Sequence, residues 1–271
     1  MEPLSRAQRD AYLDRIGLPG HTDASVAELQ WAHLQRVPFE NLSIHLDEPI
    51  ELDTAALFDK IVSRRRGGFC YELNGLFGRL LESRGHDVEM LSAGVYGPRG
   101  VGPPFDHMVL RVGEVLVDVG FGRHSARPLR LDLDTDQADL LGTFRITPAD
   151  GGDLDVLRDG EPQYRVELRP RRMQDYVPTC WWQQSSPTSH FRQGPVCSLQ
   201  TADGGQVTLA GRTLIETPLR GDRVETELTS DAEVLTAYRD HFGIVLDRVP
   251  EAPRRNLATT GTAEPQHVAP S

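Results

Sequence analysis

The chain has 271 residues and a formal net charge of −11, from 29 Lys and Arg against 40 Asp and Glu. This acidic balance argues against a general nucleic-acid binder, which needs a basic surface. No segment approaches the run of about 18 apolar residues that a membrane helix needs, and charges fill the first turns of the chain where a signal peptide has its apolar core. We therefore expect a globular cytoplasmic protein with no membrane partner.

The first part of the chain is predicted to be helical, because helix start signals coincide there with a 3.6-residue period of apolar side chains. Ser25 and Glu28 have the spacing of a capping box, and Asp53 can cap a second helix. A third helix is predicted to begin at Cys70 and to end before Gly85. Its apolar residues fall on one face: Leu73, Leu76, Phe77, Leu80 and Leu81.

From about Val88 the apolar period changes to two, in short β-rich runs separated by Gly, Pro and Asp. This series predicts a small barrel or a curled antiparallel sheet. After Phe191 the pattern mixes strands with one further helix, which Ser230 and Glu233 open as a capping box and Gly243 closes. Residues 251–271 are polar and aperiodic, so we predict a disordered tail.

The three cysteines, Cys70, Cys180 and Cys197, are an odd number without CxxC spacing. This argues against a disulfide framework and against a four-thiolate zinc site. The histidines lack metal-ligand spacing, so no metal is expected. Cys180 and Cys197 are interpreted as structural residues.

Cys70 lies in the string RGGFCYELNGLF, after two glycines and at the first turn of the predicted helix. Free backbone N–H groups and the helix dipole favour an anion there, so the pKa of the thiol is expected to fall and the thiolate to act as a nucleophile. The alternative is a cysteine that only packs, since cysteine is often buried. Position alone does not separate the two interpretations.

A thiolate nucleophile needs a base and a group that orients the base. His107 begins the predicted strand HMVLRV, and Asp118 ends the predicted strand in VLVDVGFG, which follows after a short turn at residues 112–114. An antiparallel hairpin would bring His107 and Asp118 together, so that the carboxylate holds the imidazole ring. The alternative is a histidine at a strand end and an aspartate that caps a loop.

Several ordered strings resemble the arylamine N-acetyltransferase family: RGGFCYELNGLF, VPFENLSIH at residues 37–45, HMVLRV, VDVGFG, DRIGL and SPTSHF at residues 186–191. The resemblance implies a Cys70, His107 and Asp118 triad in a papain-like or transglutaminase-like arrangement. It also implies an α+β fold with a helical domain at 1–85, a β-barrel domain at 86–195 and an α/β lid at 196–250. The interval of 11 residues from His107 to Asp118 is shorter than we expect for this family.

The resemblance further implies a ping-pong transfer of an acetyl group from acetyl-CoA, through a cysteine thioester, to the nitrogen (or N-hydroxy oxygen) of an arylamine or a hydrazine. Phe39, Phe69 and Phe121 are the candidate walls for a flat acceptor, and core packing is the alternative for each. Gly120, Phe121 and Ser189 are the candidate contacts for CoA, although hydroxyls in a Pro-containing loop often make turns. A homo-oligomer is possible.

The run Arg64, Arg65 and Arg66 can be interpreted as a solvated face, as a phosphate contact, or as a tether for the loop before Cys70.

Other functions fit the same residues. A macrolactam-forming amide synthase would use the same triad on a carrier-protein thioester, and a cysteine peptidase or transglutaminase-like enzyme would also need a cysteine, a histidine and an aspartate. A non-enzymatic binding module would leave Cys70 buried and inert.

Overall fold

The computed structural model describes residues 3–252, and its N-terminal part is helical as predicted. The helices are α1 (Arg6–Arg15), α2 (Val26–Leu34), α3 (Leu42–His45), α4 (Thr54–Phe58), a π-helical turn (Asp59–Ser63) and α5 (Cys70–Glu82). The capping boxes at Ser25 and Ser230 and the cap at Asp53 are confirmed. None of the helices within residues 3–252 is long and apolar enough to cross a membrane. The predicted disordered tail lies outside the described residues, apart from Glu251 and Ala252.

The period-two region forms one large antiparallel sheet in the order β6-β5-β4-β2-β10-β9-β8-β7, with β3 paired to β2. Its two outer strands, β6 and β7, are joined by a side chain. Gln137 at the start of β7 accepts from the N–H of Arg130 in β6 and donates to the Arg130 carbonyl. The result is a nearly closed, barrel-like sheet around its own apolar core. The strands are β2 (Val88–Gly97), β3 (Gly100–Val101), β4 (His107–Val112), β5 (Val115–Val117), β6 (Leu129–Arg130), β7 (Gln137–Asp139), β8 (Gly142–Pro148), β9 (Leu154–Arg158) and β10 (Glu161–Arg171).

A second antiparallel sheet of five strands has the order β1-β11-β12-β13-β14. Its members are β1 (Phe39–Glu40), β11 (Val196–Gln200), β12 (Gln206–Ala210), β13 (Thr213–Thr217) and β14 (Val224–Glu227). Helix α7 (Asp231–Phe242) covers this sheet and buries Val234 and Tyr238 against Cys197 and Leu209. Gly243 ends α7 in the left-handed conformation, as the sequence predicts.

The structure adds two features that the sequence patterns do not predict. Helix α6 (Met173–Ser185) follows the large sheet directly, and its apolar period is obscured because Val177, Trp181 and Trp182 are exposed. Strand β1 lies among the N-terminal helices but pairs with β11, so the N-terminal part of the chain contributes a strand to the second sheet. The division into domains at residues 85 and 195 stays a prediction.

His33 on α2 makes the stability of the fold depend on pH. Its ring is fully buried, with Nδ1 3.0 Å from the Tyr12 hydroxyl. Burial, assisted by the nearby Arg15 guanidinium, lowers the pKa of His33 to about 3. The unfolded chain binds a proton at this histidine below its ordinary pKa of about 6.5, and the folded chain does not. The contribution of neutral His33 is therefore complete above that pH and is lost as the pH falls toward 3.

We predict that the free energy of unfolding falls between pH 6.5 and pH 5, with a contribution from His33 that steepens toward a limit of about 1.4 kcal/mol per pH unit at the acid end. Denaturant titrations across this range should give a shallower slope for His33→Gln than for the parent chain. The exposed His241 offers a matched control, and His241→Gln should keep the parent slope. Equal slopes for His33→Gln and the parent would contradict the prediction.

Candidate active site

The predicted hairpin that carries His107 and Asp118 is confirmed. Strand β4 pairs with β5 through Val112 opposite Val115, and Gly113 takes a positive φ of 57° in the turn. Continuation of this pairing brings His107 Nε2 to 2.7 Å from Asp118 Oδ2. Both side chains are almost fully buried. The contact is a hydrogen-bonded pair shielded from water.

The Asp118 carboxylate is held as an anion by several donors. Its Oδ1 accepts from Asn74 Nδ2 at 2.9 Å and from the Gly120 N–H at 2.8 Å. Burial and the neighbouring Asp118 carboxylate raise the pKa of the Tyr164 hydroxyl, so this hydroxyl also faces the carboxylate. Burial alone would raise the pKa of Asp118, but His107 and these hydrogen bonds outweigh it and lower the pKa to about 2. An ionised Asp118 only accepts, so His107 carries its proton on Nε2 and presents Nδ1 to a partner.

Cys70 is the first residue of α5 and is 3% exposed. The backbone of Met108, the residue after His107, lies beside its thiol and favours the ionised form. Burial raises the pKa of the Cys70 thiol well above its ordinary value, and the Met108 backbone offsets this only in part. The expectation of a lowered thiol pKa is therefore wrong, because desolvation outweighs the helix N-terminus. The resting residue is a neutral thiol.

Met108 and Gly120 bring Cys70 to the histidine-aspartate pair. A Cβ on Gly120 would lie 2.7 Å from Cys70 Cα, so only glycine allows this approach of the two backbones. Within residues 3–252 the structure gives no direct hydrogen bond between the Cys70 thiol and the His107 ring. The three predicted residues therefore lie together in one buried site, in which His107 donates its Nε2 hydrogen to Asp118.

Asn74 is a site residue that the sequence reasoning missed. Its Nδ2 donates to the Met108 carbonyl at 2.7 Å and to Asp118 at 2.9 Å, and its Oδ1 accepts from the Val119 N–H at 2.9 Å. The side chain is fully buried. Its signal in the sequence is the spacing, since a polar residue four positions after Cys70 lies on the same helix face.

A buried cluster of charges lies beneath the start of α5. Lys60 Nζ is 2.6 Å from Glu72 and 3.9 Å from Glu40, and Arg66 is 2.9 Å from Glu40. The second oxygen of Glu72 accepts from the Phe69 N–H and caps the helix. Burial raises the pKa of Glu72, whereas Lys60 and Arg66 overcome the same effect at Glu40 and lower its pKa. Lys60 is the single lysine in the sequence, and its ammonium group holds Glu72, which caps the helix that begins at Cys70.

Arg64 and Arg66 of the arginine run lie in different environments. Arg66 is buried and pairs with Glu40 and Glu48, so it tethers the loop before Cys70. Arg64 is exposed and lies 3.0 Å from Asp59. The tether interpretation holds for Arg66, and a solvated face describes Arg64.

The predicted aromatic walls have different exposures. Phe69 is fully buried in the core, while Phe39 and Phe121 are partly exposed. The Phe121 ring lies 5.1 Å from the His107 ring. Phe191, which the sequence reasoning did not single out, packs on Phe69 at 5.3 Å and on Phe39 at 6.2 Å. Phe39, Phe69 and Phe191 belong to the apolar cluster that contains Cys70, whereas Phe121 packs against the core of the large sheet.

Two of the predicted CoA contacts, Ser189 and Gly120, are hydrogen bonded within the protein. Ser189 is fully buried, and its hydroxyl donates to Gln183 at 2.8 Å and accepts from the Phe191 N–H. Gly120 donates to Asp118 as described above. The roles of Gly120, Phe121 and Ser189 toward CoA stay predictions. Within the part of the chain that the structure describes, no group of His, Cys, Asp and Glu could hold a metal ion.

The N-acetyltransferase family model matches residues 24–250. The arylamine N-acetyltransferase of Mycolicibacterium smegmatis is 37% identical over 253 residues, which cover 87% of this chain and 91% of the relative. Human arylamine N-acetyltransferase 1 is 30% identical, with 88% and 94% covered. This chain belongs to the arylamine N-acetyltransferase family. It is accordingly an acyltransferase.

Solved structures of the family have the same fold. The M. smegmatis arylamine N-acetyltransferase superposes with a TM-score of 0.80 at 35% identity, over 89% of this chain and 95% of the other. The Mycobacterium marinum enzyme in complex with CoA gives a TM-score of 0.77 at 35% identity, over 86% and 92%. The α+β architecture with a barrel-like sheet is therefore shared with arylamine N-acetyltransferases.

We predict that Lys60→Met lowers the free energy of unfolding of this acyltransferase by about 3–5 kcal/mol, because Glu72 is left as a buried charge without its partner. The double variant Lys60→Met with Glu72→Gln removes both charges and should recover more than half of the loss. Chemical denaturation of the three chains gives both numbers. A double variant no more stable than Lys60→Met would show that the charge pair is not the cause.

Asn74→Ala is expected to lower the free energy of unfolding by about 3 kcal/mol, because the Val119 N–H and the Met108 carbonyl lose a buried partner. The same change should slow alkylation of Cys70 by iodoacetamide, since Asp118 loses a donor. Gln30 is a matched control, being a buried amide that bonds to the Ser125 carbonyl. Gln30→Ala should lose stability and keep the parent alkylation rate. Equal alkylation rates for the two variants would refute the assignment.

Proposed function

We propose that this chain transfers an acetyl group from acetyl-CoA to the nitrogen of an arylamine or a hydrazine through a thioester on Cys70. The observation that carries the proposal is the 2.7 Å pair of His107 and Asp118, which is buried together with Cys70 where Gly120 lets the two backbones approach. Family membership supports the reaction class. The ping-pong order and the roles of individual residues are inferred from the chemistry of these groups.

In the first half-reaction the Cys70 proton moves to His107. Since His107 Nε2 is bonded to Asp118, the free Nδ1 is the nitrogen that receives it. The thiolate attacks the acetyl carbonyl, a bond forms between sulfur and carbon, and the bond between that carbon and the CoA sulfur breaks. The departing CoA thiolate takes the proton from His107. Burial of the thiol makes this transfer necessary, because Cys70 does not ionise alone near neutral pH.

In the second half-reaction the amine nitrogen attacks the carbonyl carbon of the thioester. His107 takes a proton from the attacking nitrogen, the bond from carbon to the Cys70 sulfur breaks, and the thiol regains a proton from His107. The first backbone N–H groups of α5, at Cys70 and Tyr71, are the candidate oxyanion donors. Asp118 remains ionised throughout and stabilises the imidazolium.

A flat aromatic acceptor fits the aromatic lining of the site. Phe121 beside His107, together with Phe39 and Phe191, offers ring faces and edges for stacking. Cys70 and His107 are almost fully buried, so substrate entry requires the side chains above them to move. We assign Phe191 to this cover because it packs on both Phe39 and Phe69.

The decisive measurement is CoA release from acetyl-CoA, with and without an arylamine such as anisidine or a hydrazine. We expect amine-dependent release in the parent chain and none in Cys70→Ala. Cys197 is a matched control, being a buried cysteine in the core of the second sheet. Cys197→Ala should retain amine-dependent release.

Two outcomes would overturn the proposal. Release that persists in Cys70→Ala would exclude the cysteine thioester. No release with any amine, while Cys70 still reacts with iodoacetamide, would point to a different acyl donor. A carrier-protein thioester, as used by a macrolactam-forming amide synthase, would then be the donor to assay.

A further inference from the structure

A second buried histidine lies behind the histidine-aspartate pair. His124 follows Asp118 by six positions in the turn after β5 and is 1% exposed. Tyr164, on the neighbouring strand β10, is fully buried. Neither residue takes part in the mechanism described above, although both lie within the aromatic group around His107.

Tyr164 connects His124 to Asp118. Its hydroxyl oxygen is 3.0 Å from His124 Nε2, and its ring lies 5.3 Å from the His107 ring that Asp118 holds. Burial and the neighbouring Asp118 carboxylate both raise the pKa of this hydroxyl, as a nearby acceptor of its hydrogen would. The buried polar chain therefore runs from His107 through Asp118 and Tyr164 to His124. A hydroxyl has one hydrogen to donate, so the hydrogen position decides which neighbour receives it.

The surroundings of His124 decide which of its ring nitrogens carries the hydrogen, and therefore to which neighbour the Tyr164 hydroxyl donates. His124 Nδ1 has no hydrogen-bond partner within the described residues 3–252. A buried N–H without an acceptor is rarer than a buried acceptor without a donor, so the hydrogen is favoured on Nε2. His124 Nε2–H then donates to the Tyr164 oxygen, and Tyr164 must donate to Asp118. An ionised carboxylate is also the stronger acceptor.

The ring of His124 is held in place by aromatic neighbours. Its centroid lies 4.9 Å from Phe144, 5.2 Å from Tyr164 and 5.4 Å from Phe121. The charged groups around it act in opposite directions: Asp118 raises its pKa, whereas burial, His107 and Arg158 lower it. The net pKa of about 4 means that His124 is a neutral donor near neutral pH.

We propose that His124 is a positioning residue of the acetyl-transfer site, which fixes the Tyr164 hydroxyl as a donor to Asp118. The inference rests on the function proposed above. Tyr164 joins Asn74, Gly120 and His107 as a donor to the same carboxylate. Each donor reduces the basicity of Asp118, and so limits how strongly Asp118 holds the imidazole proton.

The first test reads the hydrogen position directly and needs no activity. In the full chain with ¹⁵N-labelled histidine, resonances missing from His124→Gln identify His124. We expect the chemical shifts of a protonated Nε2 and a bare Nδ1. A protonated Nδ1 would overturn the proposal, because Tyr164 would then donate to His124 in place of Asp118.

The second test measures alkylation of Cys70 by iodoacetamide as a function of pH. His124→Phe removes the donor but keeps an aromatic ring, and Tyr164→Phe removes the hydroxyl. Each variant should shift the acid limb of the alkylation pH–rate profile to higher pH by roughly half a unit, because a more basic Asp118 favours the protonated imidazole of His107. His124→Gln keeps an N–H near the Nε2 position and should keep the parent profile.

The double variant separates positioning from packing. If His124 acts through Tyr164, His124→Phe combined with Tyr164→Phe should shift the acid limb no further than Tyr164→Phe alone. Additive shifts, or a slower rate with an unmoved acid limb in His124→Phe, would overturn the proposal. These readouts need no acetyl transfer, so a failure of the proposed function in the CoA-release assay is recognised separately.

Discussion

The site depends on the carboxamide of Asn74. A helix that packs on a sheet through apolar contacts alone can slide, because such contacts have little direction. The three hydrogen bonds of Asn74 are directional and join α5 to Met108, Asp118 and Val119 at once. They fix the first turn of α5, and therefore Cys70, against the hairpin that carries His107. Gly120 completes the contact because it lacks a Cβ.

The buried charges near the start of α5 compensate one another, so this part of the interior can exclude water. Lys60 and Arg66 oppose Glu40 and Glu72 in one buried cluster, so no net charge from these four is left in the interior. Glu40 lies on β1, which pairs with β11, and Glu72 caps α5. The second sheet and α5 are thus tied to each other through charges. Gly67, in the loop before α5, lies against the Pro38 carbonyl next to β1. A Cβ at this position would lie 1.9 Å from that oxygen, so only glycine fits.

Burial also shapes the chemistry under the proposed function. A thiol in water ionises by its own pKa, whereas the buried Cys70 needs His107 to take its proton. Asp118 remains ionised because several donors surround it, and the nitrogen of His107 that faces away from Asp118 stays available. A site with little water also protects a thioester from hydrolysis. Desolvation keeps Cys70 a neutral thiol and fixed donors keep Asp118 an ionised carboxylate within the same buried site.

The sequence by itself determined the local structure. The capping residues Ser25, Asp53 and Ser230, the start of α5 at Cys70 and the hairpin turn at Gly113 follow from short-range signals that act within a few residues. The tertiary structure decided the rest: the burial that raises the pKa of Cys70, the clamp of Asn74, the pairing of β1 with β11 and the exposed face that concealed α6. These features arise between segments distant in the chain, and desolvation, hydrogen-bond geometry and packing act only once those segments meet.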